Sequence, residues 1–196
     1  MAESSPNVVV LAGPNGAGKS TSAPSILRDA LGVNEFVNAD VIARGLSGFE
    51  PERAAMAAGR IMLARLRELA RQRSSFAFET TLASRSFAPW LAELVRNGYR
   101  FHLVFLSLPD PDMAVARVAA RVREGGHAVL EETIRRRYEA GLRNFFGLYQ
   151  PMATTWNFCD NSRAPMTKLM AAGESHLERV VVDQPSWDRF QTRSIS

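Results

Sequence analysis

Hydrophobic and polar positions alternate along this chain in two rhythms. Short β-rich runs at Asn7–Ala12, Glu35–Ala39, Ser75–Glu79 and Arg100–Leu108 read as strands, with a weaker one at Trp156–Asp160 and a late edge strand at Val180–Asp183. Between them lie longer stretches with helical spacing. The segment "PERAAMAAGRIMLARLRELARQR", Pro51 to Arg73, begins on a proline suited to a first helical turn and sets Ile61, Leu66 and Leu69 between arginines. That pattern predicts a long amphipathic helix with a solvated arginine face. A further helix starts at Pro111 or Asp112 and runs to Arg123, where "EGGHAV" interrupts it. Another, Leu130–Tyr149, places Ile134, Tyr138, Phe145 and Tyr149 on one stripe that reads as core. Strands alternating with helices predict an α/β fold, three layers around a mostly parallel sheet of about five strands.

Composition narrows the setting. The 196 residues, 46% hydrophobic and 22% charged, suit a single domain with a sizeable core and one site. The net charge is +4, and the 24 basic residues include only two lysines, Lys19 and Lys168. Arginine's planar fork suits phosphate recognition, although genomic composition accounts for such a bias equally well. Basic and acidic residues are interspersed, so no nucleic-acid partner is implied. Cys159 is the only cysteine, which excludes an internal disulfide and a Cys-rich zinc site and makes the cytoplasm the expected compartment. No apolar run reaches membrane-spanning length, and "MAESSPN" lacks the layout of a signal peptide.

The chemistry concentrates first at Gly13–Ser20. There the chain reads G-P-N-G-A-G-K-S, a complete G-x-x-x-x-G-K-[ST] pattern between an apolar strand and a helix. Glycines let the backbone curl until the amides of Gly13, Pro14's successors Asn15 and Gly16, Ala17 and Gly18 converge on phosphate oxygens at a helix N-terminus. Lys19 is then expected to bridge the β- and γ-phosphates of ATP, the hydroxyl of Ser20 to hold Mg²⁺, and Thr21 to add a phosphate contact. "LSGFE" at Leu46–Glu50 faintly echoes a transporter-ATPase signature. It follows the phosphate loop too soon, and no apolar run ending in Asp-Glu lies downstream. No N-K-x-D segment supports a GTPase switch.

The acceptor side is read from strand ends. "FVNADVIARG" places Asp40 at the carboxyl edge of the sheet, where it reads either as a base for an attacking hydroxyl or as the N-cap of a helix beginning at Val41. Arg44, four residues on, pairs with Asp40, steers an anionic substrate, or faces solvent. "SFAFETTLAS" leaves Glu79, Thr80 and Thr81 at the next strand end, suited to orienting a polyol or a metal-bound water, or else to capping a turn. Arg117, Arg121 and Arg123 lead into Gly125-Gly126-His127, and Arg135, Arg136 and Arg137 follow. Two arginine-bearing helices joined by glycines match a lid over triphosphate, about residues 117–137. His127 reads as a substrate or nucleotide contact or an ordinary loop residue, and His102, on a strand, as structural.

Together these residues resemble the zeta-toxin-like P-loop kinases, especially the small stand-alone bacterial members. The resemblance rests on G-P-N-G-A-G-K-S-T, N-A-D, F-E-T-T-L-A-S, "RVAARVREGGHAV", "IRRRYEAGLRNFF" and "YQPMATTWNFCDNS", and covers Val8 to Ser162. It implies a P-loop NTPase fold with a helical lid and an ATP- and Mg²⁺-dependent phosphotransferase acting on a small-molecule hydroxyl. In the better-known toxins that hydroxyl belongs to UDP-N-acetylglucosamine. By that carry-over Asp40 is the general base, Glu79 and Thr81 contact the acceptor, and Arg121, Arg123 and Arg136 contact ATP and the transition state. A protein antitoxin is an implied partner. Another sugar, nucleoside or dinucleotide such as NAD stays open as acceptor, as does a non-catalytic nucleotide-binding regulator.

Overall fold

The computed structural model describes residues 5–50, 53–126, 128–163, 166–174 and 179–195. Strand β1 (Asn7–Ala12) leads through the phosphate loop into α1 (Lys19–Ala23), which continues in wider turns over Pro24–Ala30. Pro24 has no N–H to return to the preceding turn, and the helix accommodates it by widening. There follow β2 (Glu35–Val37), α2 (Ala39–Leu46), α3 (Ala55–Arg71), β3 (Phe76–Thr80), α4 (Ala88–Arg96) and β4 (Arg100–Ser107). The second half comprises α5 (Pro111–Arg123), α6 (Glu131–Asn144), β5 (Thr155–Asp160), β6 (Lys168–Glu174), β7 (Val180–Val181) and α7 (Gln184–Ile195).

The strands form one seven-stranded sheet in the order β2-β3-β1-β4-β5-β6-β7. The first five are parallel, and β6 and β7 extend the sheet antiparallel. The sheet therefore exceeds the expected five strands by β6, whose "KLMAAGE" carries few of the residues that mark strands, and by the short β7 at the expected late edge. Gly173 in β6 is set by packing, because a Cβ there would come within 2.6 Å of the Trp156 ring. Helices α4 and α7 were not anticipated, and Pro51 lies outside the described residues.

Alternation along β1 divides the core between the two faces. Val8, Val10 and Ala12 pack with Met62, Leu66 and Leu69 of α3, Leu91 and Leu94 of α4, and Trp187 and Phe190 of α7. Val9 and Leu11 pack with Ala23, Leu27, Ala114, Val118, Ile134 and Tyr138. A strand buried on both faces belongs to a parallel sheet covered by helices on each side, which is the expected three-layer arrangement. Ile134, Tyr138, Phe145 and Tyr149 are all core as predicted, yet they serve opposite faces, the first pair one cluster and the second pair the other. The chain thus passes from one face to the other within α6, between Tyr138 and Leu142. Among the described residues no helix is long and apolar enough to cross a membrane.

Toward the start of β4 and away from the phosphate loop, His102 bonds Thr155 Oγ1 through Nδ1 (2.7 Å) and Asn7 Oδ1 through Nε2 (2.9 Å), tying β1, β4 and β5. Burial lowers its pKa, Arg100 adds to the shift and Glu174 opposes it. A lowered folded-state value favours the neutral ring, so this contribution to stability is present above about pH 6.5 and is lost as pH falls through the folded-state value. Thermal unfolding should therefore show a steeper loss of midpoint between about pH 7 and 5 in the native sequence than in His102→Gln. Equal slopes would show that His102 does not titrate with folding.

Candidate active site

At the carboxyl edge of β1 the backbone turns sharply, and Gly13 adopts φ 140° where a Cβ would overlap the Leu106 carbonyl. Gly16 and Gly18 both lie at φ 79°, a conformation that excludes most side chains. The loop closes around Lys19, which is 6% exposed. Its Nζ donates to the carbonyls of Gly13 and Pro14, each at 2.9 Å, and sits 3.6 Å from Glu79 Oε1. Burial lowers the Lys19 pKa, the carboxylates of Glu79 and Asp40 pull it back up, and Arg121 adds to the lowering. Glu79, Asp40 and Arg121, all predicted from the sequence, thus lie within electrostatic reach of Lys19.

Glu79 organises the next layer. Its Oε2 accepts from Ser20 Oγ and from Asn38 Nδ2, both at 2.7 Å. Glu79, expected to orient a polyol or a metal-bound water and, by the resemblance, to contact the acceptor, engages the lysine and serine of the phosphate loop. Adjacent strands bring this about, since β3 pairs with both β1 and β2. Asn38 does two jobs: its amide donates to Glu79, and its Oδ1 accepts from the backbone N–H groups of Asp40 (2.8 Å) and Val41 (3.2 Å). Asn38 is therefore the N-cap of α2, and Asp40 is not. The Asp40 carboxylate is left exposed in the first turn. Arg44 is exposed in the last turn of α2, and among the described residues no ion pair joins it to Asp40.

Magnesium bound with a nucleoside triphosphate takes hard oxygen ligands and keeps several waters. The Ser20 hydroxyl fits as a ligand, and the Glu79 carboxylate beside it fits as an acceptor for those waters. Among the described residues no group of three or more His, Cys, Asp or Glu could hold a metal. An ion here would take the rest of its shell from phosphate oxygens and water.

The far side of the phosphate loop is held by Asn161, which sequence reasoning did not assign, and by Arg117, which it placed among the lid arginines. Asn161, fully buried just past β5, donates from Nδ2 to the Ala17 carbonyl at 2.7 Å, and its Oδ1 accepts from Thr167 Oγ1 at 2.7 Å. Arg117 donates to the carbonyls of Asn161 (3.0 Å) and Ser162 (2.7 Å) and reaches Gly16 at 3.4 Å. Arg117 is thus a strut behind the loop. The available sequence signal was an asparagine just past a strand's carboxyl end, in "CDNS".

Of the lid arginines, Arg121 is half-buried and near enough to influence Lys19, while Arg123 and Arg136 are exposed. Gly125-Gly126 closes α5: Gly126 N–H donates to the Arg121 carbonyl (2.9 Å) and Gly125 N–H to that of Val122 (3.0 Å), with Gly125 at φ 83°. A Cβ on Gly126 would come within 2.6 Å of Arg121 Cγ, so this glycine makes room for the arginine. Arg135 bonds Asp112 and Glu131, at 2.7 and 2.8 Å, clasping α5 to α6. Thr21 is exposed on α1, and Thr81 is half-buried after β3. His127 lies outside the described residues. Leu82, fully buried, takes φ 56°, strain on the order of 1–3 kcal/mol that the surroundings must hold.

A protein-family model described as an AAA domain, AAA_33, matches residues 8–146. The chain belongs to this family. An uncharacterized protein of Haemophilus influenzae is 31% identical over 126 residues, 64% of this chain and 88% of that protein. In fold the chain is similar to the AvrRxo1-ORF1:AvrRxo1-ORF2 complex with sulphate ions (TM-score 0.76, 15% identity, 99% of this chain), a complex also solved with ATP. It spans 66% of the matched chain there. It is also similar to the PezAT chromosomal toxin-antitoxin system of Streptococcus pneumoniae, with TM-score 0.66, 14% identity, 98% of this chain and 87% of that one. The family and the fold agree with the resemblance to zeta-toxin-like P-loop kinases.

Replacing Asn161 by leucine should leave the Ala17 carbonyl and Thr167 without their buried partner, costing about 1–3 kcal/mol in chemical denaturation. The same variant should weaken binding of a fluorescent ATP analogue about tenfold, the equivalent of roughly 1.4 kcal/mol. Unchanged affinity would limit Asn161 to a structural role.

Proposed function

We propose that this chain is an ATP-dependent kinase that transfers the γ-phosphoryl group to a hydroxyl of a small molecule, with UDP-N-acetylglucosamine as the leading acceptor. The observation that carries the proposal is the exposed Asp40 carboxylate at the sheet edge. Capping is done by Asn38, and Asp40 lies close enough to Lys19 to influence its charge. A carboxylate not consumed by its own helix, beside a phosphate loop, is placed to take a proton from an incoming hydroxyl.

In the proposed step, the acceptor oxygen attacks the γ-phosphorus as its proton passes to Asp40. The bond from phosphorus to the β,γ-bridging oxygen breaks, and ADP leaves with that electron pair. The loop amides and the Lys19 ammonium hold the β- and γ-phosphate oxygens, and Arg121 adds positive charge where negative charge spreads in the transition state. Ser20 and Glu79 would hold magnesium and its waters, and the ion, when bound, neutralises charge across the β- and γ-phosphates. Arg123 and Arg136, both exposed, reach the nucleotide only with a closing of the α5–α6 connection. Arg44 would meet an anionic group on the acceptor, and the Thr81 hydroxyl would orient its reacting end. His127 would meet substrate or nucleotide from the same connection.

The ATP complex of AvrRxo1-ORF1:AvrRxo1-ORF2 supports ATP as donor. The toxin-antitoxin character of the PezAT system supports a protein antitoxin as partner. The sugar nucleotide rests on the family resemblance.

Asp40→Asn should retain ATP binding and lose about two or more orders of magnitude in transfer rate. Turnover at the native rate would remove Asp40 from the mechanism. Lys19→Ala should abolish transfer with circular dichroism unchanged. Incubating the protein with labelled ATP and UDP-N-acetylglucosamine, and in parallel with a cell extract, tests the acceptor by the appearance of a labelled small molecule. Label confined to a different metabolite would replace the sugar nucleotide, and no labelled product in either arm would overturn the kinase reading.

A further inference from the structure

Helix α6 and the helical turn that continues it over Phe145–Tyr149 grip the loop that follows β3 along its backbone. Asn144 Nδ2 donates to the carbonyls of both Leu82 (2.7 Å) and Ala83 (3.2 Å), and Tyr149 Oη donates to that of Ser84 at 2.7 Å. At Gly141 the helix passes so close that a Cβ would overlap the Thr81 carbonyl oxygen. The loop carries a strained residue that these contacts brace. Leu82 sits at φ 56°, and the loop's own bonds near it are local side-chain caps: Leu82 N–H donates to Thr80 Oγ1 (3.1 Å), Ala83 N–H to Thr81 Oγ1 (3.5 Å) and Ser86 N–H to Ser84 Oγ (3.1 Å).

The other end of α6 belongs to the phosphate side. Tyr138 donates to the Leu108 carbonyl at 2.7 Å, and Arg135 clasps Asp112 of α5. Helix α5 stands on the phosphate loop through Arg117 and through the close approach of Ala114 to Gly16. A single helix, about 21 Å long at 1.5 Å per residue, therefore joins the nucleotide side to the loop bearing Thr81.

Building on the kinase reading, we infer that Asn144 is a positioning residue for the acceptor. It holds loop 80–84 in its strained form, so that α6 sets the placement of Thr81 relative to Glu79 and the phosphate loop. Without its two donated bonds Leu82 relaxes to negative φ and carries Thr81 out of register. Nucleotide binding is unaffected, because the phosphate loop is buttressed separately by Asn161 and Arg117. The function assigned to Asn144 is thus geometric and selective for one substrate.

The test is steady-state transfer from labelled ATP to UDP-N-acetylglucosamine, or to the metabolite that the extract labels. Asn144→Leu should raise the acceptor KM about tenfold or more, on the scale that ångström misplacement produces, while the KM for ATP stays within about twofold. Asn144→Asp places an oxygen against two carbonyl oxygens. Its acceptor KM should start high and fall as the pH is lowered and the carboxyl regains a proton to donate. If Asn144→Leu does not fold, Gly141→Ala gives the second reading: helix propensity favours the alanine, yet it must displace Thr81 and should show the same split. An acceptor KM at the native value in variants that bind ATP normally overturns this inference alone, as does an equal rise in both KM values. A native protein that labels nothing overturns the kinase reading and this inference with it.

Discussion

The structure around the phosphate loop depends on keeping one ammonium group charged out of water. Lys19 is buried, and burial alone drives it toward the neutral form. Two loop carbonyls and the Glu79 carboxylate supply what water would otherwise provide. Glu79 in turn needs donors for its other oxygen, and Ser20 and Asn38 provide them. Asn38 then has its carbonyl free to cap α2, which leaves Asp40 exposed one residue into the helix. This polar corner of the sheet's carboxyl edge follows from solvating one lysine, with Glu79, Ser20 and Asn38 each met by the next residue in the chain of contacts.

A second constraint is the approach of backbone to backbone. Gly13 against Leu106, Gly16 against α5, Gly126 against Arg121 and Gly141 against Thr81 are places where a Cβ would collide with a neighbour. Each brings a loop of the site against the element that holds it. Carbonyl groups exposed by these turns are met by long or amide side chains from elsewhere: Arg117 and Asn161 behind the phosphate loop, Asn144 and Tyr149 behind the loop after β3. The two loops are thus held by separate contacts, and α5 and α6 connect them.

Much of this was legible in order along the chain. Strands β1 to β5 and helices α3, α5 and α6 announce themselves because apolar spacing follows from burial of one or both faces. Strand β6 does not, because Ala171, Ala172 and Gly173 carry no strand pattern of their own, and the close fit of Gly173 against Trp156 is a tertiary contact. Helix α7 buries Trp187 and Phe190 against Trp156 and Phe158, a contact between segments whose partners are distant in sequence. In the site, Glu79 was found by its place at a strand end, but whether it faced donor or acceptor depended on its neighbours. Arg117 stood with the other arginines of its helix, and nothing local distinguishes a strut from a ligand.

The sequence by itself determined the phosphate loop, the parallel α/β layering and the residue types gathered at the sheet's carboxyl edge, because glycine conformations, strand periodicity and the run G-P-N-G-A-G-K-S are local properties. Only the tertiary structure decided which carboxylate serves Lys19, which asparagine caps α2, and which side chains hold the loops in place. Those choices depend on strand order and on contacts between residues far apart in the chain. The hydrogen-bond demand of buried groups is satisfied by whatever the fold brings within three ångströms, and spacing along a single sequence does not encode that proximity.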